Sequence, residues 1–156
     1  MKRVVHAITH IMKSIDQKTI LEVACGSAEF SIYASRYAKR IYCIDIDSKR
    51  LLPMWKTIAN MHFDIINAEN MPFEANTFDT VIIYNAVGHI EYSLENILEE
   101  CQRVLRHDGH IYIISSYKMD KMVIEEHLIP MLKKKTINFC SEIVPPFYYV
   151  KLGSAL

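Results

Sequence analysis

Apolar residues recur along this chain with two alternating periods, one typical of helices and one typical of strands. Short apolar runs rich in β-branched residues predict strands over 19–24, 41–45, 62–66, 80–84 and 110–115. Amphipathic stretches predict helices over 28–39, 48–60, 94–105 and 120–134. Strands that alternate with helices favour a mostly parallel sheet covered on both faces, so we predict an α/β fold.

The two ends of the chain follow other patterns. Near the C-terminal end, two β-prone runs, 136–144 and 147–152, flank Pro145-Pro146 and predict an antiparallel hairpin. At the other end, an apolar stripe at helical spacing predicts an amphipathic first helix, and its members are Val4, Val5, Ile8, Ile11, Met12 and Ile15.

Single residues mark where the predicted helices begin and end. Ser93 can cap the helix over 94–105, and Asp108-Gly109 turns the chain after it. Asp47 can cap the helix over 48–60, in which Pro53 either delays the start or bends the axis. These signals place short turns at the ends of the predicted strands.

Length and charge narrow the class of protein. The chain has 156 residues, which suits a single domain spanning 1–156 with a full hydrophobic core. Lysines and arginines number 18, as do aspartates and glutamates, so the formal net charge is zero. A neutral chain lacks the broad basic surface that non-specific nucleic-acid binding requires, which makes a nucleic-acid partner unlikely. No apolar run approaches the ~20 residues of a membrane span, so we expect no membrane partner.

The cysteines indicate a compartment rather than a reaction. They stand at positions 25, 43, 101 and 140, with no C-x-x-C pair and no histidine at zinc-finger spacing. We therefore expect no metal site. Buried, reduced thiols in a cytoplasmic chain fit this pattern best.

The most specific segment is LEVACGSAEF, residues 21–30. It joins a strand to a helix through a turn of small residues, and Asp45 follows 19 positions after Gly26, at the end of the next strand. The helix start offers free N–H groups, the small residues admit a ligand, and a carboxylate there can accept bonds from ribose hydroxyls. The arrangement predicts a site for a nucleoside-containing cofactor.

The residues of this turn also distinguish between cofactors. A dinucleotide site usually has G-x-G-x-x-G, whereas this chain places Phe30 where that pattern needs a small residue. A negative charge on Glu22 would repel phosphates but would suit the cationic groups of S-adenosylmethionine. The turn resembles the first motif of the Rossmann-like, class I methyltransferases, acidic-x-G-x-G-x-G, which reads here Glu22, Ala24, Gly26 and Ala28.

A second segment carries the same resemblance. Residues 67–73, followed by Phe78-Asp79, are similar to the G-D-A-E-x-L-P-F…F-D segment of those methyltransferases. The resemblance covers about residues 10–152 and implies a seven-stranded sheet in the order 3-2-1-4-5-7-6 with an antiparallel last strand. It also implies an acceptor for the adenine amino group at Asn67, whose amide oxygen can fill that role.

Ligands of such sheets bind at the carboxyl ends of the strands, beside the point where the strand order reverses. The turns that meet there supply the candidate cofactor contacts. Ile46 would press on the adenine, and Tyr84 with Asn85 would hold the methionine end. The complete predicted set is Glu22, Ala24, Cys25, Gly26, Ser27, Asp45, Ile46, Asn67, Ala68, Glu69, Tyr84 and Asn85.

A candidate base follows the fourth strand. The family often has two histidines there, whereas this chain has Gly88 and His89. Methyl transfer depends mostly on positioning, and a base is needed only when the acceptor must lose a proton. His89 suits that catalytic role by its intrinsic pKa, although a structural role is the alternative. Tyr117, after the fifth strand, is a candidate for substrate contact.

These observations favour a small S-adenosylmethionine-dependent methyltransferase that acts on a small molecule. One alternative is a non-catalytic cofactor-binding or partner subunit, suggested by the altered glycines and the short N-terminal segment. A nicotinamide oxidoreductase is disfavoured by Phe30 and by residues 67–73. Because one helix precedes the first strand, we expect a shallow pocket that a second copy, a partner protein, a large substrate or that helix must cover. The alternative role of the first helix is structural, in which it simply packs on the sheet.

Overall fold

The strands and helices of the computed structural model, which describes residues 2–153, alternate as the sequence predicts. The strands are β1 Thr19–Val23, β2 Arg40–Asp45, β3 Met61–Ile65, β4 Phe78–Tyr84, β5 Leu105–Ser116, β6 Phe139–Val144 and β7 Phe147–Gly153. The α-helices are α1 Arg3–His10, α2 Glu29–Ala34, α3 Leu94–Val104, α4 Tyr117–Val123 and α5 Ile129–Lys134, and a π-turn, Ile124–Leu128, joins the last two. Short 3-10 turns are Met12–Ser14, Pro53–Thr57, Val87–His89 and Glu91–Ser93.

All seven strands form one sheet in the order β3-β2-β1-β4-β5-β7-β6. Pairing is parallel from β3 to β5, and β7 runs antiparallel to both β5 and β6. The predicted order and the hairpin around Pro145-Pro146 are therefore confirmed. The order reverses between β1 and β4, and this reversal opens a crevice at their carboxyl ends.

Alternate residues of the central strands enter two different cores. On one face, α1 packs against the sheet, and Val4 and Ile8 are buried with Ile20 and Ile82. On the other face, Leu21 packs with residues of α3 and of the segment from α4 to α5. The apolar stripe of the first helix therefore packs on the sheet, as the structural alternative predicted.

The helices differ from the sequence prediction where local signals compete. The stretch 48–60 forms only the 3-10 turn Pro53–Thr57, so the predicted helix there is wrong. Proline lacks an N–H and is tolerated only in the first turn of a helix, which explains why the turn begins at Pro53 and is short. The helix predicted over 28–39 is limited to α2, with turns after Ala34.

Two predicted helix caps and one predicted turn are replaced by other local structure. No side-chain bond from Ser93 caps α3, because Ser93 itself ends a 3-10 turn. Asp47 caps no helix, and its Oδ1 accepts the N–H of Lys49 at 2.9 Å. Asp108-Gly109 lies inside β5 as a bulge, where a Cβ on Gly109 would stand 2.7 Å from the Asp79 carbonyl oxygen.

Helix α3 fixes the segment that leads from β3 to β4. The Arg103 guanidinium donates to the carbonyl oxygens of Met71 at 3.0 Å and Phe73 at 2.7 Å, and it pairs with Glu100. The Glu100 carboxylate in turn accepts the N–H of Met71 at 2.7 Å. The main-chain groups of this irregular segment, which would otherwise bond to water, thus have side-chain partners on a helix.

We expect Arg103→Ala to lower the free energy of unfolding by about 1–2 kcal/mol, because two carbonyl oxygens and one carboxylate lose a donor. Arg106→Ala is the matched control, since Arg106 makes one exposed ion pair with Asp79 and should contribute below about 1 kcal/mol. Urea denaturation of the three proteins measures the difference. Equal losses in the two variants would show that Arg103 does not hold this segment.

Candidate functional site

A cavity of about 450 Å³ lies at the carboxyl ends of β1, β2 and β4, beside the reversal of strand order. Its lining includes His89 and every residue predicted to contact a cofactor, and those residues are Glu22, Ala24, Cys25, Gly26, Ser27, Asp45, Ile46, Asn67, Ala68, Glu69, Tyr84 and Asn85. Tyr117 is not part of this lining. Its ring stacks on Tyr148 with centroids 6.1 Å apart, so the structure does not bring it to the cavity.

The turn after β1 has an unusual main chain. Ala24, Gly26 and Ala28 have φ angles of +55°, +55° and +60°. This left-handed region is easy for glycine, but it costs an alanine roughly 1 kcal/mol. The two alanines that replace glycines of the resembled motif therefore keep a glycine-type backbone, at an energetic cost.

Asp45 connects this turn to the end of β2. The Gly26 N–H donates to Asp45 Oδ2 at 2.7 Å, and the Cys25 N–H donates to the Ile44 carbonyl oxygen at 3.0 Å. The Asp47 N–H lies 3.4 Å from Asp45 Oδ1. An ionised carboxylate has about four acceptor positions, so these bonds leave acceptor capacity on Asp45.

Glu22 is buried at the cavity wall, and its charge differs from the sequence-based expectation. The side chain is 1% exposed, and its Oε2 accepts both the N–H and the hydroxyl of Ser31. Burial raises the pKa of Glu22 to about 8, although the Ser31 bonds oppose the shift. Near pH 7 the carboxyl is therefore mostly protonated, and the negative charge assigned to it from the sequence is largely absent.

Two further groups of the lining stay uncharged. A hydrogen bond with Cys43 and then burial raise the pKa of the Cys25 thiol. Burial is the first cause that raises the pKa of Tyr84, whose ring packs between Phe30 and Phe147 at centroid distances of 5.3 and 5.8 Å. Neither group is a nucleophile or a base near neutral pH.

The turns after β3 and β4, which also line the cavity, are fixed by hydrogen bonds. Asn67 Oδ1 accepts the N–H of Glu69 at 3.0 Å, and Glu69 Oε1 accepts a bond from the Asn96 amide at 3.0 Å. Asn85 Oδ1 accepts the N–H of Ser116 at 2.9 Å. The oxygen of Asn67 that was expected to receive an adenine amino group therefore already has one donor, and one lone pair remains for a ligand.

Several lining residues were not found from the sequence. Arg50 is the least expected, because its guanidinium carbon lies 3.5 Å from the position that a Gly26 Cβ would take. It comes from an irregular segment that the sequence assigned to a helix, so its direction had no local signal. The others are Glu29, Asp47, Ile66, Ala86, Ile90, Ser93 and Ile97.

Comparison with known proteins gives the following similarities. The family model of the methyltransferase domain matches residues 21–113. The demethylmenaquinone methyltransferase of Thermotoga maritima is 28% identical over 110 residues, which are 69% of this chain and 47% of that protein. A ubiquinone/menaquinone biosynthesis C-methyltransferase of Agrobacterium fabrum is 28% identical over 145 residues, 87% of this chain and 52% of that protein. The chain thus spans about half the length of these relatives.

A solved structure shares the fold. The crystal structure of a SAM-dependent methyltransferase from Aquifex aeolicus matches with a TM-score of 0.75 at 19% identity, over 92% of this chain and 87% of that one. This likeness agrees with the sheet order described above and confirms the predicted fold class.

We expect Ala24→Gly to leave the protein as stable as the wild type or to stabilise it by up to about 1 kcal/mol. The reason is that glycine adopts the left-handed backbone of this turn without strain. Ala34→Gly, in helix α2, is the control and should destabilise by about 1 kcal/mol or more. Thermal and urea unfolding measure both. Equal destabilisation by the two changes would show that the turn is not strained at residue 24.

The raised pKa of Glu22 predicts a pH dependence of stability. Unfolded glutamate ionises near 4.5 and folded Glu22 near 8, so the folded state holds the extra proton between these values. The wild-type free energy of unfolding should therefore contain a contribution that falls as pH rises from about 4.5 to about 8 and then levels off.

Glu22→Gln keeps an acceptor for Ser31 and lacks this titration. Unfolding free energies measured from pH 5 to pH 9 should show the variant gaining on the wild type by up to ~1.4 kcal/mol per pH unit within that window. A difference between the two proteins that stays constant with pH would contradict the assignment of a buried, protonated Glu22.

Proposed function

The chain belongs to the methyltransferase domain family, and we propose on that premise that it binds S-adenosylmethionine and methylates a small-molecule acceptor. One observation carries the proposal. The turns after β1, β2, β3 and β4 lie far apart in the chain, yet their cofactor candidates all line one cavity. Its volume of about 450 Å³ falls in the range of about 300–1,000 Å³ that is usual for small-molecule sites.

The residues of the cavity fit the two ends of this cofactor. Asp45 would accept bonds from the ribose hydroxyls, and Ile46, which is 72% exposed beside it, would cover one face of the adenine. Asn67 would accept a bond from the adenine amino group. The small turn around Gly26 would let the main chain approach the methionine portion, which Tyr84 and Asn85 of the same lining would also contact.

The chemistry supplied by the bound cofactor would be an activated methyl group. The protein's contribution would be to bind, to orient and to exclude water, because direct displacement at carbon depends mostly on positioning. His89 lines the cavity and would take a proton from an acceptor that has one to lose.

The non-catalytic alternative loses part of its support. It rested on the altered glycines and on the short N-terminal segment. Ala24 and Ala28 adopt the left-handed backbone that a glycine would adopt, so the alanines leave the turn intact. The two relatives described above are named as a demethylmenaquinone methyltransferase and a ubiquinone/menaquinone biosynthesis C-methyltransferase, and we propose a small-molecule acceptor here without naming it.

A cover for the cavity remains part of the proposal. No residue of α1, which the structure describes completely, lines the cavity. Large apolar side chains stay exposed in the turn Glu91–Ser93 and in α4, where Tyr92, Met119 and Met122 are 99%, 80% and 67% exposed. We propose that a second copy of the chain, a partner protein or the substrate covers this side.

The location is also a proposal. All four cysteines are free, and three of them are buried, which suits a reducing compartment such as the cytoplasm. Among residues 2–153, no helix has both the length and the apolar character needed to cross a membrane.

Calorimetry with S-adenosylhomocysteine, the stable product, tests the proposed cofactor. We expect binding at micromolar concentrations, a rise in melting temperature with this ligand, and no comparable rise with NAD. Asp45→Asn should weaken the binding at least about tenfold, or ~1.4 kcal/mol, because an amide N–H₂ group replaces one acceptor oxygen.

Asp47→Asn is the matched control, because it removes the same charge from the same wall of the cavity. It should change the affinity by less than about threefold, or ~0.7 kcal/mol. Equal losses in both variants would indicate general electrostatic attraction instead of a ribose contact. Failure of the wild-type protein to bind the ligand at all would refute the proposed cofactor, and release of S-adenosylhomocysteine with a panel of acceptors would test the transfer itself.

A further inference from the structure

We propose that the Arg50 guanidinium binds the carboxylate in the methionine portion of the cofactor. The proposal rests on the proposed binding of S-adenosylmethionine and adds a residue that the sequence did not indicate. The methionine portion carries a carboxylate as well as an ammonium and a sulfonium group, and a carboxylate that leaves water needs donors or a cation. Among the described residues that line the cavity, Arg50 supplies the guanidinium group, and none of them is a lysine.

The first observation is the position of the guanidinium over the turn after β1. Its Cζ and Nη1 atoms lie 3.5 Å from the position that a Cβ on Gly26 would take, and its Nη2 atom lies 3.8 Å from it. The carbon is as close to this point as the nitrogens are, so the guanidinium turns its flat face to Gly26. The fork formed by its N–H groups is therefore directed away from the turn.

The second observation is that the main chain beside Arg50 is held against the same turn. The Leu52 N–H donates to the Ser27 carbonyl oxygen at 3.3 Å. Leu51 packs on a buried apolar cluster that includes Cys25. Both contacts join the irregular segment after β2 to the residues on either side of Gly26, so the Arg50 side chain begins from an anchored position although its end is exposed.

The third observation is that the guanidinium has no protein partner. No hydrogen bond or ion pair joins it to another residue of the part of the chain that the structure describes. Arg103 differs in this respect, because its donors are used by Glu100 and by two carbonyl oxygens. A guanidinium has five N–H donors in a planar fork that matches a carboxylate, so Arg50 can make a bidentate pair with an arriving ligand.

The charges around Arg50 explain why this cation is needed. Apart from the protonated Glu22, the acids of the lining are Glu29, Asp45, Asp47 and Glu69. They favour the ammonium and sulfonium groups of the cofactor but oppose its carboxylate. One cation in an acidic cavity offsets that repulsion, and the guanidinium lies on the turn that would approach the methionine portion. We therefore assign the bound carboxylate to the cofactor and not to the methyl acceptor.

Calorimetry with two ligands that differ by one carboxylate tests this assignment. S-adenosylhomocysteine carries the carboxylate, whereas its decarboxylated analogue keeps the adenosine, the thioether and the amine. We expect the wild-type protein to bind S-adenosylhomocysteine at least about tenfold more tightly than the analogue. Arg50→Gln should weaken S-adenosylhomocysteine by about tenfold and should change the affinity for the analogue by less than about twofold, because the analogue has no anion for the guanidinium to bind.

Arg50→Lys separates the charge from the planar fork. It should weaken S-adenosylhomocysteine by about threefold, since an ammonium attracts the carboxylate but cannot bind it in the bidentate way. Lys49→Gln is the matched control, because it removes the same charge from the adjacent residue, which is exposed and is not among the residues of the lining. It should change the affinity for either ligand by less than about twofold.

The two ligands also keep the two proposals apart. A wild-type protein that binds both ligands equally well would retain the proposed cofactor and refute the role of Arg50. The same role is overturned if Arg50→Gln weakens both ligands equally, leaves both unchanged or strengthens S-adenosylhomocysteine, or if Lys49→Gln has the same effect as Arg50→Gln. A wild-type protein that binds neither ligand refutes the cofactor itself, and the role of Arg50 with it.

Discussion

The hydrogen bond from the Gly26 N–H to the Asp45 carboxylate holds the cavity together. The turn after β1 leaves the strand ladder in a left-handed conformation, so its N–H groups need an acceptor from elsewhere. A buried N–H without a partner would cost about 1–3 kcal/mol. Asp45 supplies that partner from the neighbouring strand, so one carboxylate of the cavity lining closes the turn and still has acceptor positions free of that bond.

Burial decides which groups around the cavity carry charge. Glu22, Cys25 and Tyr84 lie in the lining and are mostly neutral near pH 7. Burial raises the pKa of Glu22 and of Tyr84, and a hydrogen bond with Cys43, followed by burial, raises that of Cys25. The other acids of the lining outnumber its one guanidinium group, that of Arg50, and these acids are Glu29, Asp45, Asp47 and Glu69. The balance favours a ligand with cationic groups over one rich in phosphate, which agrees with the proposed cofactor.

The regular elements were predictable because their signals are local. The spacing of apolar residues and the turn residues between the apolar runs predict the strands. The family resemblance of two short segments predicts the sheet order 3-2-1-4-5-7-6. Errors cluster where such signals conflict. The predicted helix over 48–60 fails at Pro53, and Arg50 was missed because its direction depends on that irregular segment. Tyr117 was predicted to contact substrate from its position after β5; its ring packs on Tyr148 outside the cavity lining, and its role stays a prediction.

The amino-acid sequence was enough to assign the family and to name the turns that meet at the carboxyl ends of the strands, because spacing along the chain determines which residues end each strand. It could not show the protonation of Glu22 or the approach of Arg50 to Gly26. Burial and electrostatic attraction depend on distances between segments that are remote in the chain. Those distances exist only once the helices have packed on the sheet, so the charge and the neighbours of each site residue were decided by tertiary structure.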